Sequence, residues 1–270
     1  MNEIMEIIQF IFLGLFQGFT EPIPISSSGH LVILRSLFDI GEPGITFEAF
    51  INFGSLIAVV TIYRRDIWQL IVGSSRFLFN RDEEARSDFR YAFLLVIATI
   101  PAGLLGVLLE DSIGEISDRV KLVGVTLIIT AIALWIIRNF HGHKDDEQLT
   151  IKDAVIVGFA QAVALVPGIS RSGATIVASM LVGMKRRVAL RFSFLMYIPV
   201  SLGTMVFAVS DVLSNPELSG QFVLYLISLI AAILSSYFAL LLFINIMTAG
   251  KLKYFAYYCL IVGILVLIFL

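Results

Sequence analysis

Cysteine is nearly absent from this 270-residue chain. Cys259 stands alone in an apolar run, so no intrachain disulfide can form. Charge is scarce too: Asp, Glu, Lys and Arg make up 15% of the residues. The formal net charge of −2 leaves no basic excess for a nucleic-acid partner. The N-terminus carries Glu3 and Glu6 where a secretory signal has Lys or Arg, and the apolar run after them is broken by Gln17, Glu21, Pro22 and Pro24. That pattern predicts no cleavable signal peptide. What fills the chain instead is apolar: 58% hydrophobic residues and a mean hydropathy of +0.93. A soluble domain cannot hide so much apolar surface, so the composition predicts an all-α polytopic membrane protein.

One segment is written twice. A fixed offset of 144 lays Gly14 on Gly158, Gln17 on Gln161, Ile25 on Ile169, Ser26 on Ser170, Ser28 on Ser172 and Gly29 on Gly173. The copies differ where chemistry is concentrated. The first has Glu21, Ser27 and His30; the second has Leu165, Arg171 and Ala174. A duplicated scaffold with complementary polar groups points to one composite site built from two halves.

Six stretches are long enough to cross a bilayer core: about 46–63, 90–109, 120–137, 192–210, 222–246 and 254–270. Residues 4–38 and 151–184 are different. Pro22 with Pro24, and Pro167 with Gly168, split each beside a polar cluster. Proline removes a helix donor and clashes with the preceding turn. Irregular backbone at membrane depth survives only where protein or a polar cavity surrounds it. Both regions therefore read as re-entrant helical hairpins, with a single kinked span as the alternative for each. One hairpin plus three crossings per half is an odd number of crossings. The second repeat (about 150–270) is then inverted relative to the first (about 1–140) within a single membrane domain spanning 1–270.

Charge tests this topology independently. The connections 64–90, 138–152, 185–191 and 246–253 hold 15 of the 19 basic residues, whereas the opposite side has only Arg119 and Lys121. The positive-inside rule then puts both termini outside the cytoplasm. The stretch 74–90 reads as a cytoplasmic surface loop. The run from His141 through His143 to Glu147 has a superficial metal-site look, but its i, i+2 histidines beside acids fit a solvated linker better.

The breaks carry the candidate chemistry. Gln17 and Glu21 share a helix face. After the prolines, Ser26, Ser27, Ser28 and Gly29 open the next helix, followed by His30. Helix starts offer unpaired N–H groups and the positive dipole end, which suits phosphate. The second copy repeats the arrangement with Ser170, Ser172, Gly173 and Thr175, and adds the planar fork of Arg171. Serines also fill ordinary helix contacts in membranes, and Gln17 and Gln161 equally fit a role tying backbone groups at the breaks. Ionised groups in hydrocarbon are harder to explain away, since each costs about 2.5–3.5 kcal/mol on insertion scales. Glu21 and Arg171 therefore point to function, and His30 shares their position on the matched repeat. Arg35 reads as snorkelling from the far end of its hairpin, and Glu48 and Asn52 as either site support or interface.

These residues resemble a known family. Gln17-x-x-x-Glu21 followed by Pro24-x-Ser-Ser-Ser-Gly-His30, with Pro167-Gly-x-Ser-Arg-Ser-Gly-x-Thr175, is similar to the bacterial undecaprenyl-diphosphatase (bacitracin-resistance) family. The stretches from Phe47 and from Phe192 echo it as well, so the resemblance spans nearly the whole chain. It implies inverted repeats with two re-entrant hairpins in the bacterial plasma membrane and a site opening outward. The implied activity is hydrolysis of undecaprenyl diphosphate to the monophosphate carrier used for peptidoglycan and other envelope glycans, and hence bacitracin resistance.

Carried over by motif, Glu21, Ser27, His30 and Arg171 become the catalytic candidates. Ser26, Ser28, Gly29, Ser170, Ser172, Gly173, Thr175 and Gln17 become the phosphate-binding candidates. Ser27 is the preferred nucleophile, activated by His30 or Glu21; attack by water or by His30 is the competing scheme. The family's first motif position is Glu or Gln, so if Mg²⁺ or Ca²⁺ assists, Gln17 is a poor anchor for it. No organic cofactor is implied. The implied partners are a polyprenyl diphosphate and membrane lipids, with a homodimer left open. The main rival is a secondary transporter or flippase of a phosphorylated lipid or anion, which would use the same inverted-repeat site. A purely structural subunit would have no use for these intramembrane charges.

The charge asymmetry sets a direct test of orientation. A C-terminal alkaline phosphatase fusion is expected to be active and a C-terminal green fluorescent protein fusion dark. The opposite pattern would contradict the topology.

Overall fold

The computed structural model describes residues 3–38, 44–109, 119–214 and 221–270. The connections between them and the outer limit of the first repeat lie outside the described residues. Regular structure among the described residues is helical: α1 (Glu3–Thr20), α2 (Ser27–Phe38), α3 (Gly44–Ile62), α4 (Arg64–Asn80), α5 (Arg86–Leu108), α6 (Val120–Ile137), α7 (Ile151–Val163), α8 (Arg171–Leu181), α9 (Arg186–Ser214), α10 (Phe222–Thr248) and α11 (Lys253–Phe269). Two single 3₁₀ turns, Glu83–Ala85 and Asp146–Gln148, flank the polar connections.

Among the described residues, four stretches are each long and apolar enough to cross a bilayer: Glu83–Leu108, Val120–Ile137, Arg186–Ser210 and Phe222–Thr248. Ile4–Thr20 and Lys253–Phe269 are shorter apolar helices. Thr46–Ile62 and Arg64–Asn80 pass the same test only as a pair, and they bend by 75° where they join. The expected loop at 74–90 is therefore a correction: α4 reaches Asn80 as a helix, and the chain is helical again from Glu83. The physical reason is amphipathicity. Gly73 packs against Asp88 of α5 while Trp68, Ile71 and Phe79 face outward, a pattern that suits a membrane surface rather than a span. A search for long apolar runs does not find such a helix.

The expected interruptions at the prolines appear as two breaks. Residues 21–25 turn between α1 and α2, with Ser26 in the left-handed region at φ 69°. The second break separates α7 from α8 and places Gly168 at φ 85°. Glycine adopts that conformation freely, whereas serine is strained in it.

Close backbone approach holds the helices together. A Cβ on Gly14 would meet the Ser228 backbone, and one on Gly18 would come within 2.8 Å of Ala232 Cα. Along the same α1–α10 seam, Ser228 Oγ donates to Phe10 O at 2.7 Å and Ser236 Oγ donates to Gly18 O at 2.8 Å. α7 packs on α5 in like fashion, with Gly158 against the Ala98 carbonyl. Gly124 of α6 and Gly263 of α11 face each other. Small residues and interhelical hydroxyl bonds are the usual means of association where lipid removes the hydrophobic drive. Outward-facing Phe207, Leu213, Phe238 and Phe269 are exposed, as expected for side chains that face lipid rather than water.

The α1–α10 seam is tight enough to test. Gly18→Val is expected to displace α1 at a cost on the order of 1–3 kcal/mol, read as a lower Tm in detergent. An unchanged Tm would show the seam to be slack.

Candidate active site

The two breaks interlock. A Cβ added to Gly29 would lie 3.0 Å from Gly168 Cα, and one added to Gly173 would lie 3.4 Å from Pro24 Cβ. Ser172 Oγ donates across to Ile23 O at 3.3 Å. Each helix start is thus pressed against the other hairpin's apex. The first serine of each copy caps its own helix: Ser26 Oγ accepts from Gly29 N at 3.3 Å and Ser170 Oγ accepts from Gly173 N at 3.0 Å. Ser170 Oγ also lies 3.2 Å from Ser172 Oγ.

Glu21 is where the halves meet. Arg171 donates to its Oε1 and Ser27 donates to its Oε2. Ser27 and Arg171 hold the same position in the two copies, and each is the first residue of its helix. Gln17 Nε2 is the carboxylate's third donor, reaching Oε2 at 3.0 Å, and it donates also to Asn52 Oδ1 at 2.7 Å. The Glu21 side chain is 8% exposed and that of Arg171 26% exposed, so the carboxylate is enclosed and the Arg171 side chain is only partly so. The Arg171 guanidinium lies 3.9 Å from the Tyr197 ring centroid, within the range of a cation–π contact. Tyr197 OH donates to Asn52 O at 2.8 Å. The circuit of Arg171, Glu21, Gln17, Asn52 and Tyr197 is closed.

His30 faces elsewhere. Its Nδ1 is 2.8 Å from Ser26 O, so this nitrogen carries the proton and donates it to the carbonyl. Its Nε2 then accepts from Tyr258 OH at 2.8 Å, and the two rings stack with centroids 5.5 Å apart. His30 thereby braces the backbone of strained Ser26, while the hydroxyl of Ser27 goes to Glu21.

The remaining candidates surround this centre. Thr175 Oγ1 donates to Arg171 O at 3.0 Å and is hydrogen-bonded to Ser193 Oγ. Ser28 is half-buried in the first turn of α2. A cavity beside the ion pair is lined by Ser55, Gln161, Ser172, Thr175, Ser193 and Tyr197, among others. Arg35 does not snorkel freely; it pairs with Glu48. Asn52 belongs to the site. Ser55, Ser193, Tyr197 and Tyr258 were not among the sequence candidates, because they sit in unbroken apolar helices outside the duplicated segment. The one available signal for Ser193 and Tyr197 was the Phe192 stretch, which resembled the family without specifying a role.

Among the described residues, no three His, Cys, Asp or Glu side chains gather as cation ligands. Glu21 is the carboxylate at this site, and its partners are Arg171, Ser27 and Gln17. The protein alone therefore does not fit a closed cation cage. At His141–Glu147 the chain is instead tied to Gly183, whose carbonyl accepts from His143 N and Lys144 N at 2.9 Å each.

Comparison with known proteins gives the site its context. The family model described as "Bacitracin resistance protein BacA" matches residues 10–265. A relative from Oceanobacillus iheyensis named undecaprenyl-diphosphatase is 56% identical over 266 residues, covering 98% of this chain and 97% of the relative. Undecaprenyl-diphosphatase 2 of Bacillus thuringiensis is 54% identical over the full length of both. Undecaprenyl-diphosphatase 1 of Bacillus licheniformis is 50% identical over 99% of each. The family match runs through both breaks and all the helices that hold Glu21, Ser27 and Arg171 together, and on that extent this chain belongs to the bacitracin resistance protein BacA family.

Proposed function

We propose that this chain hydrolyses undecaprenyl diphosphate to undecaprenyl phosphate and inorganic phosphate, using Ser27 as nucleophile, Glu21 as base and Arg171 as phosphate clamp. The observation that carries the reading is the Glu21 carboxylate, which accepts from the Ser27 hydroxyl on one oxygen and from the Arg171 guanidinium on the other. Full-length relatives that bear the diphosphatase name support the substrate.

Phosphoryl transfer needs alignment and charge stabilisation more than elaborate chemistry. The diphosphate head enters beside Arg171 while the isoprenoid tail stays in lipid. A polyanion offers the guanidinium more charge than one carboxylate does, so Arg171 turns from Glu21 to the phosphoryl oxygens. Glu21, freed of its cation, takes the Ser27 proton as Oγ attacks the terminal phosphorus. The phosphoanhydride bond breaks and undecaprenyl phosphate leaves with the electron pair. Glu21 passes that proton to solvent, then takes one from a water that attacks phosphoserine, and delivers it to Ser27 Oγ as the P–O bond breaks. Inorganic phosphate leaves and the Ser27 hydroxyl is restored. The helix starts at Ser28 and Ser172 turn their positive ends to the phosphate oxygens, the Gly29 and Gly173 N–H groups being taken by the capping serines, and His30 acts by holding the Ser26 carbonyl. The residues present fit a divalent cation only through Glu21 together with the substrate's own oxygens. Such an ion would supply charge neutralisation.

The same reading includes topology. The chain makes six crossings and two re-entrant hairpins in inverted repeats, in the bacterial plasma membrane, with both termini and the site opening outside the cytoplasm. Helix pairing supports the repeat. Replacing α1, α2, α3, α5 and α6 by α7, α8, α9, α10 and α11 turns the α1–α10 contact into α7–α5 and α3–α10 into α9–α5, while α3–α9 and α6–α11 map onto themselves. The 15:2 distribution of basic residues supports the orientation.

Purified protein in detergent is expected to release phosphate from a prenyl diphosphate without any membrane gradient. No release, with transport in sealed vesicles, would favour the transporter. Ser27→Ala is expected to abolish turnover, and substantial remaining activity would favour direct attack by water. Arg171→Lys is expected to lower kcat by about 10²-fold or more, because one ammonium replaces a planar fork. Wild-type kinetics in that variant would contradict the clamp.

A further inference from the structure

The cavity beside the Glu21–Arg171 pair has a buried donor that the mechanism above does not use. Gln161 of α7 is 2% exposed and lines this cavity, yet its Nε2 is buried with no hydrogen-bond partner. An unmade hydrogen bond at a buried amide is costly, and such groups persist where a ligand meets them. The duplicated sequence explains how the amide came to be unpaired. Gln17 occupies the matching position in the first copy, and its Nε2 is satisfied by Glu21 four residues on and by Asn52. Four residues after Gln161 stands Leu165, whose side chain has no acceptor. The second copy thus keeps the amide of the first without its carboxylate.

We infer that Gln161 is a substrate ligand, donating from Nε2 to a nonbridging oxygen of the lipid diphosphate. The inference rests on the proposed diphosphatase reading and adds a residue to it. The cavity wall suits the role. Arg171 supplies charge, Ser172, Thr175 and Ser193 supply hydroxyls, and Gln161 adds a neutral donor from the opposite hairpin arm. A polyanion also decides which end of the amide turns inward: it accepts from the nitrogen and repels the oxygen. Once the diphosphate draws Arg171 away from Glu21, Gln161 holds the oxygens that the guanidinium does not reach. The two glutamines of the repeat then have opposite tasks, Gln17 orienting the protein's carboxylate and Gln161 gripping the substrate's phosphate.

The test measures phosphate release from a prenyl diphosphate in detergent, with Tm recorded on the same preparations of wild type, Gln161→Met and Gln161→Glu. Methionine keeps the side chain's length without a donor; glutamate keeps its shape and adds repulsion. Gln161→Met is expected to lower kcat/KM by at least about tenfold, the usual scale for losing a hydrogen bond to a charged group. Gln161→Glu should lower it further. The Tm of Gln161→Met should equal or exceed that of wild type, because an unpaired buried donor has been removed. A loss smaller than tenfold in Gln161→Met, or a loss accompanied by a lower Tm, overturns the inference. Wild-type protein that releases no phosphate sinks the diphosphatase reading itself, whereas an active wild type with an equally active Gln161→Met sinks only the role of Gln161.

Discussion

One carboxylate and one guanidinium, brought together from the two halves of the chain, are the constraint on which the rest of this structure depends. Glu21 and Arg171 are 150 residues apart and pair in the interior of an apolar helical protein. Neither is tolerable alone in that setting, since an uncompensated buried charge costs several kcal/mol. A buried ion pair of this kind is weak evidence of stabilisation, because desolvation offsets much of the Coulombic gain. Its retention fits the proposed mechanism, in which a polyanion competes for the guanidinium.

The scaffold exists to hold that pair in register. Glycines at 14, 18 and 158 let helix backbones touch, and serines 228 and 236 bond across to helix carbonyls. These contacts fix the two interrupted segments against long apolar helices; the break at residues 22–25 is buried in protein, and the one at residues 164–169 is partly open. Backbone strain adjoins the Glu21 centre. Ser26 adopts a left-handed conformation directly before Ser27, and the His30 ring holds its carbonyl in place. A residue held in a sparsely populated region beside the proposed nucleophile fits a role in pre-organisation.

Divergence between the copies divides the labour. Both contribute a helix start with a capping serine, and at the next position one has Ser27 and the other Arg171, converging on the two oxygens of Glu21. Leu165 replaces the second carboxylate. Two carboxylates at this centre would repel the substrate and each other, whereas one carboxylate and one guanidinium leave the site close to neutral until the polyanion enters.

Much of this was legible in sequence, for identifiable reasons. A proline joined by a second proline or a glycine beside a polar cluster ends a helix here, so the interruptions at Pro22–Pro24 and Pro167–Gly168 could be read directly, whereas the lone Pro101 and Pro199 lie inside α5 and α9. The fixed offset of 144 exposed the duplication, and the rarity of ionised groups in apolar sequence singled out Glu21 and Arg171. The amphipathic helix α4 was not legible, because its charged residues resemble those of a loop until α5 packs against one face. Tyr197, Ser193 and Tyr258 were not legible either, since their roles depend on helices distant in sequence. The Ser27 hydroxyl could have gone to His30 or to Glu21 by sequence spacing alone. Only the packing of α11, which offers Tyr258 to the His30 ring, together with the fold of the first hairpin, which lays Ser27 on Glu21, decided between them. Local covalent chemistry determined where the helices stop and which residues carry charge; long-range packing decided which of those residues meet.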